Sequence, residues 1–191
     1  MARLVVTEFV SLDGVMDDPG GSEGTKHGAW TFQFDRGAEG DKFKLDELHA
    51  SDAQLLGRVT YQGFAKAWPT VKDEQGFADR MNSMRKYVVS TTLSDDEATW
   101  DNTVVIRGDV ADGIARLKAE PGGDIVVHGS CSLVHFLAEH RLVDEYRLMV
   151  FPIVLGSGKR LFTETSETTR LVLTESRTAG DGILLLTYRT Q

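Results

Sequence analysis

The stretch that most constrains the fold of this chain is Asp124 to His140, DIVVHGSCSLVHFLAEH. It opens with Ile125-Val126-Val127, a run short enough and β-branched enough to be a buried parallel strand. The run stops at His128-Gly129-Ser130, after which Leu133, Phe136 and Leu137 recur at helical spacing. A strand that turns through glycine into a helix leaves backbone N–H groups pointing at whatever lies over the turn. Those groups and the helix dipole favour an anion, usually a phosphate. The plainer reading is that Gly129 permits a tight turn and Ser130 caps the helix.

A second stretch repeats the arrangement. Ala53-Gln54-Leu55-Leu56 reads as a strand that ends at Gly57-Arg58-Val59-Thr60-Tyr61. Here the turn also carries a guanidinium and a hydroxyl, which suit a phosphate better than a bare turn does. A surface arginine beside a helix cap is the plainer alternative. Lys86-Tyr87-Val88-Val89 forms another strand and breaks into Ser90-Thr91-Thr92, hydroxyls that either hydrogen-bond phosphate oxygens or make an ordinary loop.

The remaining pattern gives the fold class. Leu4 to Val10 is apolar on both faces, as a central strand is. A long irregular segment from Asp17 follows, and its far end carries Trp30, Phe32 and Phe34 in alternation. That alternation reads as a short strand turning its aromatics inward, or, for Trp30 and Phe34, as the wall of a pocket for a flat substrate. Gly40 to Ala50 is helix-like, with Phe43, Leu45 and Leu48 inward and charges elsewhere, and Phe77, Met81 and Met84 mark another core-facing helix. Val104-Val105-Ile106 is a strand, and Asp109 caps a helix bearing Val110, Ile114 and Leu117. Glu145 to Leu155 is a strand with Pro152 inside it, which argues for an edge or a bulge. Leu171 to Glu175 and Ile183 to Tyr188 close the chain as a hairpin turning near Asp181-Gly182. Strands alternating with helices, then a hairpin, give an α/β fold: a mostly parallel sheet with an antiparallel C-terminal hairpin and helices on both faces.

Composition bounds the partners. A length of 191 residues fits one domain, residues 1–191. A net charge of −8 argues against a nucleic-acid or anionic-membrane surface, though a local cluster of cations would still serve an anionic cofactor. Cys131 is the single cysteine, so neither a disulfide framework nor a thiolate metal site is expected. The N-terminus enters a strand without a signal peptide and no apolar run approaches membrane length, so a cytoplasmic protein is expected. Several catalytic motifs fail. A zinc deaminase needs more cysteines. Gly158-Lys159 is followed by Arg160, which breaks a P-loop, and Leu161 replaces the third glycine of a dinucleotide fingerprint. Ser130 lacks the flanking glycines of a nucleophile elbow.

Four segments together resemble the dihydrofolate-reductase-like superfamily. They are Ser11-Leu12-Asp13-Gly14, Leu55-Leu56-Gly57-Arg58-x-Thr60-Tyr61, Val127-x-Gly129-Ser130, and Leu142-Val143-Asp144-Glu145 continuing to Pro152-x-x-Leu155-Gly156-x-Gly158. Within it the chain is most similar to the reductase half of the riboflavin-biosynthesis deaminase–reductase (the RibD C-terminal type) and its stand-alone relatives. The resemblance implies a three-layer fold and an NADPH-dependent reductase, forming a homodimer and acting on a small pterin-like or ribosylamino-pyrimidine-like substrate. It implies that Gly57, Arg58 and Thr60, with Ser90 and Thr91 across a cleft, hold the adenosine and its 2′-phosphate. Gly129 and Ser130 would take the pyrophosphate, with the dihydronicotinamide near the end of the first strand. Asp41 stands at the spacing of the acidic substrate-binding residue of dihydrofolate reductases, and Asp13 is the rival acid. Their plainer roles are a helix-turn carboxylate and a turn former. Where dihydrofolate reductases carry a glycine run, this chain has His128-Gly129-Ser130-Cys131. The alternative function is a nucleotide- or pterin-binding protein of the same fold without turnover.

Overall fold

The first strand, β1 (Leu4–Ser11), runs through the interior of the sheet because both of its faces are apolar: Leu4 and Val6 point to one side and Val5 to the other, all fully buried. The computed structural model describes residues 1–164 and 168–191. From β1 the chain passes through a long segment and α1 (Gly37–His49) to β2 (Ser51–Gly57), then α2 (Arg58–Ala67), α3 (Phe77–Ser83) and β3 (Arg85–Val89). It continues through β4 (Thr103–Ile106), α4 (Val110–Ala119), β5 (Asp124–Val127), α5 (Cys131–Glu139) and β6 (Glu145–Phe151), and ends in the hairpin β7 (Leu171–Ala179) and β8 (Ile183–Thr190).

The strands form one sheet in the order β4-β3-β2-β5-β1-β6-β8-β7. Pairing is parallel from β4 to β6 and antiparallel across β6-β8-β7, as the strand–helix alternation and the closing hairpin require. Helices cover both faces. Ile114 of α4 and Leu133, Val134 and Leu137 of α5 pack with Leu4, Leu55 and Val127 on one face. On the other, Leu48, Tyr61 and Met81 of α1, α2 and α3 pack with Val5, Leu56 and Val126. A third apolar group joins Phe43 of α1 to Met149, Phe151 and Leu185.

Two local readings are corrected. β6 ends at Phe151, and Pro152 follows its last paired residue, so the proline neither bulges the strand nor marks an edge; β6 lies between β1 and β8. Trp30 to Gln33 is a turn of 3-10 helix rather than a strand. Trp30 within that turn and Phe34 just beyond it, in extended backbone, both meet Phe151 edge-on at 5.3 Å and 5.7 Å, while Phe32 is 78% exposed. The amphipathic reading of α1 also missed two charges. Lys44 and Glu47 are buried, and Lys44 Nζ donates to Glu47 Oε1 at 2.6 Å and to Thr7 Oγ1 of β1 at 2.7 Å. The pair fixes α1 against the central strand, and leaving either charge alone there would be strongly destabilising.

One detail of register positions the site. β5 pairs with β1 no further than Val6↔Val127, whereas β1 and β6 stay paired to Ser11↔Phe151. The C-terminal half of β1 therefore has an open flank on the β5 side. The chain leaves β1 toward β2 but leaves β5 toward β6, so its direction reverses there. In open α/β sheets, ligands settle in the crevice at such a reversal.

Candidate active site

Gly57 and Gly129 meet next to that crevice, where β2 and β5 run side by side. Gly57 N–H donates to Gly129 O at 3.2 Å. The approach is close enough that a Cβ on Gly57 would collide with Ser130 Oγ and stand 2.9 Å from Ser130 Cβ. Glycine at 57 is thus required by packing, since its φ of −76° suits any residue. Gly129, at φ +91°, sits where a side chain is disfavoured by the backbone itself. The N-termini of α2 and α5 therefore open side by side, with their free N–H groups on one cleft.

The cleft encloses about 450 Å³. Gly57, Arg58 and Val59 form one wall, Ser90, Thr91 and Thr92 at the end of β3 another, and Ser130 and Ser132 with Phe136 the third. Ser130 does not cap α5 with its side chain; its Oγ lies 3.1 Å from Ser132 Oγ. Ser90 accepts from Thr92 N–H at 3.1 Å and Leu93 N–H at 2.9 Å, which fixes the turn and leaves its own proton to donate outward. Arg58 is exposed at the rim. Thr60 is half-buried, and its Oγ1 lies 3.3 Å from the point a Cβ would occupy on Gly129. The structure thus brings together Gly57, Arg58, Thr60, Ser90, Thr91, Gly129 and Ser130.

The other sequence candidates lie elsewhere. Asp41 is not brought to the cleft: it occupies a separate depression with Asp35 and Asp46, its side chain 48% exposed and paired with Arg36 at 2.8 Å. Asp13 ties two loops. It accepts from Ser11 Oγ at 2.6 Å, Leu155 N–H at 3.1 Å and Gly156 N–H at 2.9 Å, and the Ser11 bond foremost lowers its pKa to about 2. Trp30 is fully buried with Nε1 donating to Asp17 O at 2.9 Å, and Phe34 packs beside it, so both serve the core around Phe151.

A polar group that the sequence reading passed over lies behind Gly129. Glu8 of β1 is buried, and its Oε1 has no hydrogen-bond partner among the described residues. Burial raises its pKa well above the ordinary range, opposed by Lys44 and reinforced by Glu47. His128 is half-buried beside Phe64 at 5.9 Å, and desolvation of its ring, with Lys44, lowers it to about 3, so the ring is neutral. Its bulk turns into the protein and does not line the cleft. The available signal was a carboxylate set in the middle of an apolar strand, LVVTEFVS. Among the described residues no helix is long and apolar enough to cross a membrane.

Comparison with known proteins agrees with this architecture. A family model described as the RibD C-terminal domain matches residues 2–185. The uncharacterized protein YyaP of Bacillus subtilis (strain 168) is 28% identical over 189 residues, spanning 97% of this chain and 94% of that one. The uncharacterized protein YwjB of the same strain is 30% identical over 183 residues, spanning 96% and 95%. Among solved structures, the "Putative riboflavin biosynthesis protein" from Shewanella sp. PV-4 superposes with a TM-score of 0.78 at 23% identity, covering 100% of this chain and 99% of the other. A pyrimidine reductase-like protein from Corynebacterium diphtheriae gives 0.69 at 16% identity, covering 100% and 92%. With a family match over residues 2–185, the chain belongs to the RibD C-terminal domain family.

Proposed function

We propose that this chain is an NADPH-dependent reductase of a pterin-like or ribosylamino-pyrimidine-like compound. The observation that carries the reading is the junction of Gly57 and Gly129, which opens two helix N-termini and a rim arginine onto one cleft. The donor set fits the cofactor: backbone N–H groups of α2 and α5 suit a diphosphate, and the Arg58 guanidinium with the Ser90 and Thr91 hydroxyls suits a 2′-phosphate. Glycine at 129 leaves the space where a side chain would block approach from Thr60. Bound NADPH would supply the hydride, and the protein's own work is to align donor and acceptor and keep water out.

The residues divide that work. Gly57 and Ser130 set the spacing of the two helix ends, Ser90 holds the β3 turn in place, and Arg58 selects for the phosphorylated cofactor. Family membership supports a reductase-type role, and the name of the Corynebacterium diphtheriae relative points the same way. The test is NADPH oxidation, followed optically, with dihydropterin, pyrimidine and flavin compounds. Oxidation with a pterin or pyrimidine is the expected result. Binding of NADPH without oxidation across that panel would instead favour a binding protein of the same fold. That second reading has one observation on its side, because neither Asp13 nor Asp41 stands free beside the cleft as a proton source.

A further inference from the structure

Glu8 is the ionisable side chain that β1 places next to Gly129, and its local partners do not account for it. Lys44, the nearest obvious counter-charge, already donates to Glu47 Oε1 at 2.6 Å and Thr7 Oγ1 at 2.7 Å. Glu8 Oε1 is left buried without a hydrogen bond among the described residues. It lies 3.8 Å from the point a Cβ would occupy on Gly129, and Thr60 Oγ1 lies 3.3 Å from the same point. Three elements, β1, α2 and the β5–α5 turn, thus converge at a glycine, with a carboxyl and a hydroxyl around the space its missing side chain leaves. An unsatisfied buried carboxyl costs free energy unless a ligand completes it.

The sheet order says which part of a dinucleotide would arrive there. Reading β3-β2-β5-β1 across the sheet, the phosphate-suited groups come first: Ser90 and Thr91 at β3, Gly57 and Arg58 at β2, Ser130 after β5. The end remote from the 2′-phosphate then falls on the β1 side, where Glu8 is. A neutral carboxyl offers one donor beside one acceptor, the complement of a primary carboxamide. We infer that Glu8 holds the carboxamide of the dihydronicotinamide, donating a hydrogen bond to its carbonyl oxygen and accepting one from its N–H. The inference rests on the cofactor reading above.

Binding measured by tryptophan quenching, with no turnover required, separates the two. The ligands are NADPH and 2′-phospho-ADP-ribose, which lacks the nicotinamide; the proteins are wild type, Glu8→Gln and Glu8→Ala, each checked by thermal melt. Glu8→Ala is expected to bind NADPH about tenfold more weakly, as for the loss of one to two good hydrogen bonds, and the fragment unchanged. Glu8→Gln keeps a neutral donor–acceptor pair and is expected within about twofold of wild type. Raising the pH should weaken NADPH binding to wild type as Glu8 ionises, but not to Glu8→Gln. Lys44 and Glu47 from α1, His128 and Cys131 beside the β5–α5 turn, and Arg147 from β6 are retained in that variant, as is any titration of the 2′-phosphate near pH ~6. Burial holds His128 near 3 and Cys131 near 11, outside the range scanned. Equal losses for NADPH and the fragment, or no loss for either, would overturn the role of Glu8 while leaving the cofactor site standing. Failure of wild type to bind the fragment would overturn the cofactor reading and the inference with it.

Discussion

Gly57→Ala tests the junction on which the site depends. The backbone at Gly57 has φ −76° and ψ 158°, so alanine introduces no backbone strain there. The whole effect must come from its Cβ, which would run into Ser130 Oγ and lie 2.9 Å from Ser130 Cβ and 3.1 Å from Ser130 N. Gly57 and Ser130 both stand where a strand turns into a helix, so the cost falls in the overpacking range of about 1–3 kcal/mol. For a chain of this size each kcal/mol lowers Tm by about 2–4 °C, giving a drop of about 2–12 °C. Ser130→Gly should be mild alone, because the Ser130 side chain makes no capping bond to α5. In the double variant two of the three close contacts disappear, so most of the loss should be recovered, with a coupling of about 1–2 kcal/mol. Urea or thermal denaturation of the four proteins measures the cycle, and NADPH titration should follow the same order. Simple additivity of the two substitutions would refute the close approach of α2 and α5 and, with it, the shared cleft.

Three further outcomes are expected. Arg58→Ala should weaken NADPH about tenfold or more with little change for NADH, since a guanidinium–phosphate bond is the interaction removed; equal losses in equilibrium titrations would discard that role. Asp41→Asn should leave NADPH affinity unchanged and stability within about 0.5 kcal/mol, as for an exposed ion pair; lowered turnover would restore Asp41 to the site despite its placement beside Arg36. Asp13, whose pKa is lowered to about 2 chiefly by Ser11, contributes stability that is present above its unfolded value and lost as pH falls through its folded one. Thermal melts of wild type should therefore fall more steeply between pH ~4 and ~2 than those of Asp13→Asn, and parallel curves would contradict the assignment.

The residues that the structure gathers around the cleft could be picked out together because they are consecutive in the chain. Gly57-Arg58 and Gly129-Ser130 each announce a strand-to-helix turn within a few positions, and Ser90-Thr91 follows a strand end directly. Other readings failed where spacing alone was ambiguous. Trp30, Phe32 and Phe34 fit period two, yet the chain makes a 3-10 turn over Trp30–Gln33, so that Trp30 and Phe34 both reach Phe151 while Phe32 is exposed. Asp41 matched a spacing from Gly57, but the rotation of α1 turned Lys44 and Glu47 inward and left Asp41 with Arg36. Pro152 looked internal to a strand because Ile153 and Leu155 extend its apolar pattern beyond the last paired residue, Phe151.

The sequence by itself determined the class of fold, the alternation of elements, and the two glycine turns, because hydrophobic period and turn chemistry are local properties of neighbouring residues. Tertiary structure decided which of those turns face one another and what lies behind them. Glu8 and Gly129 are far apart in the chain, and their meeting depends on β5 inserting beside β1 and stopping at Val127. A strand's partner and the point where its ladder ends are set by long-range packing across the sheet, and that is information no short window of residues contains.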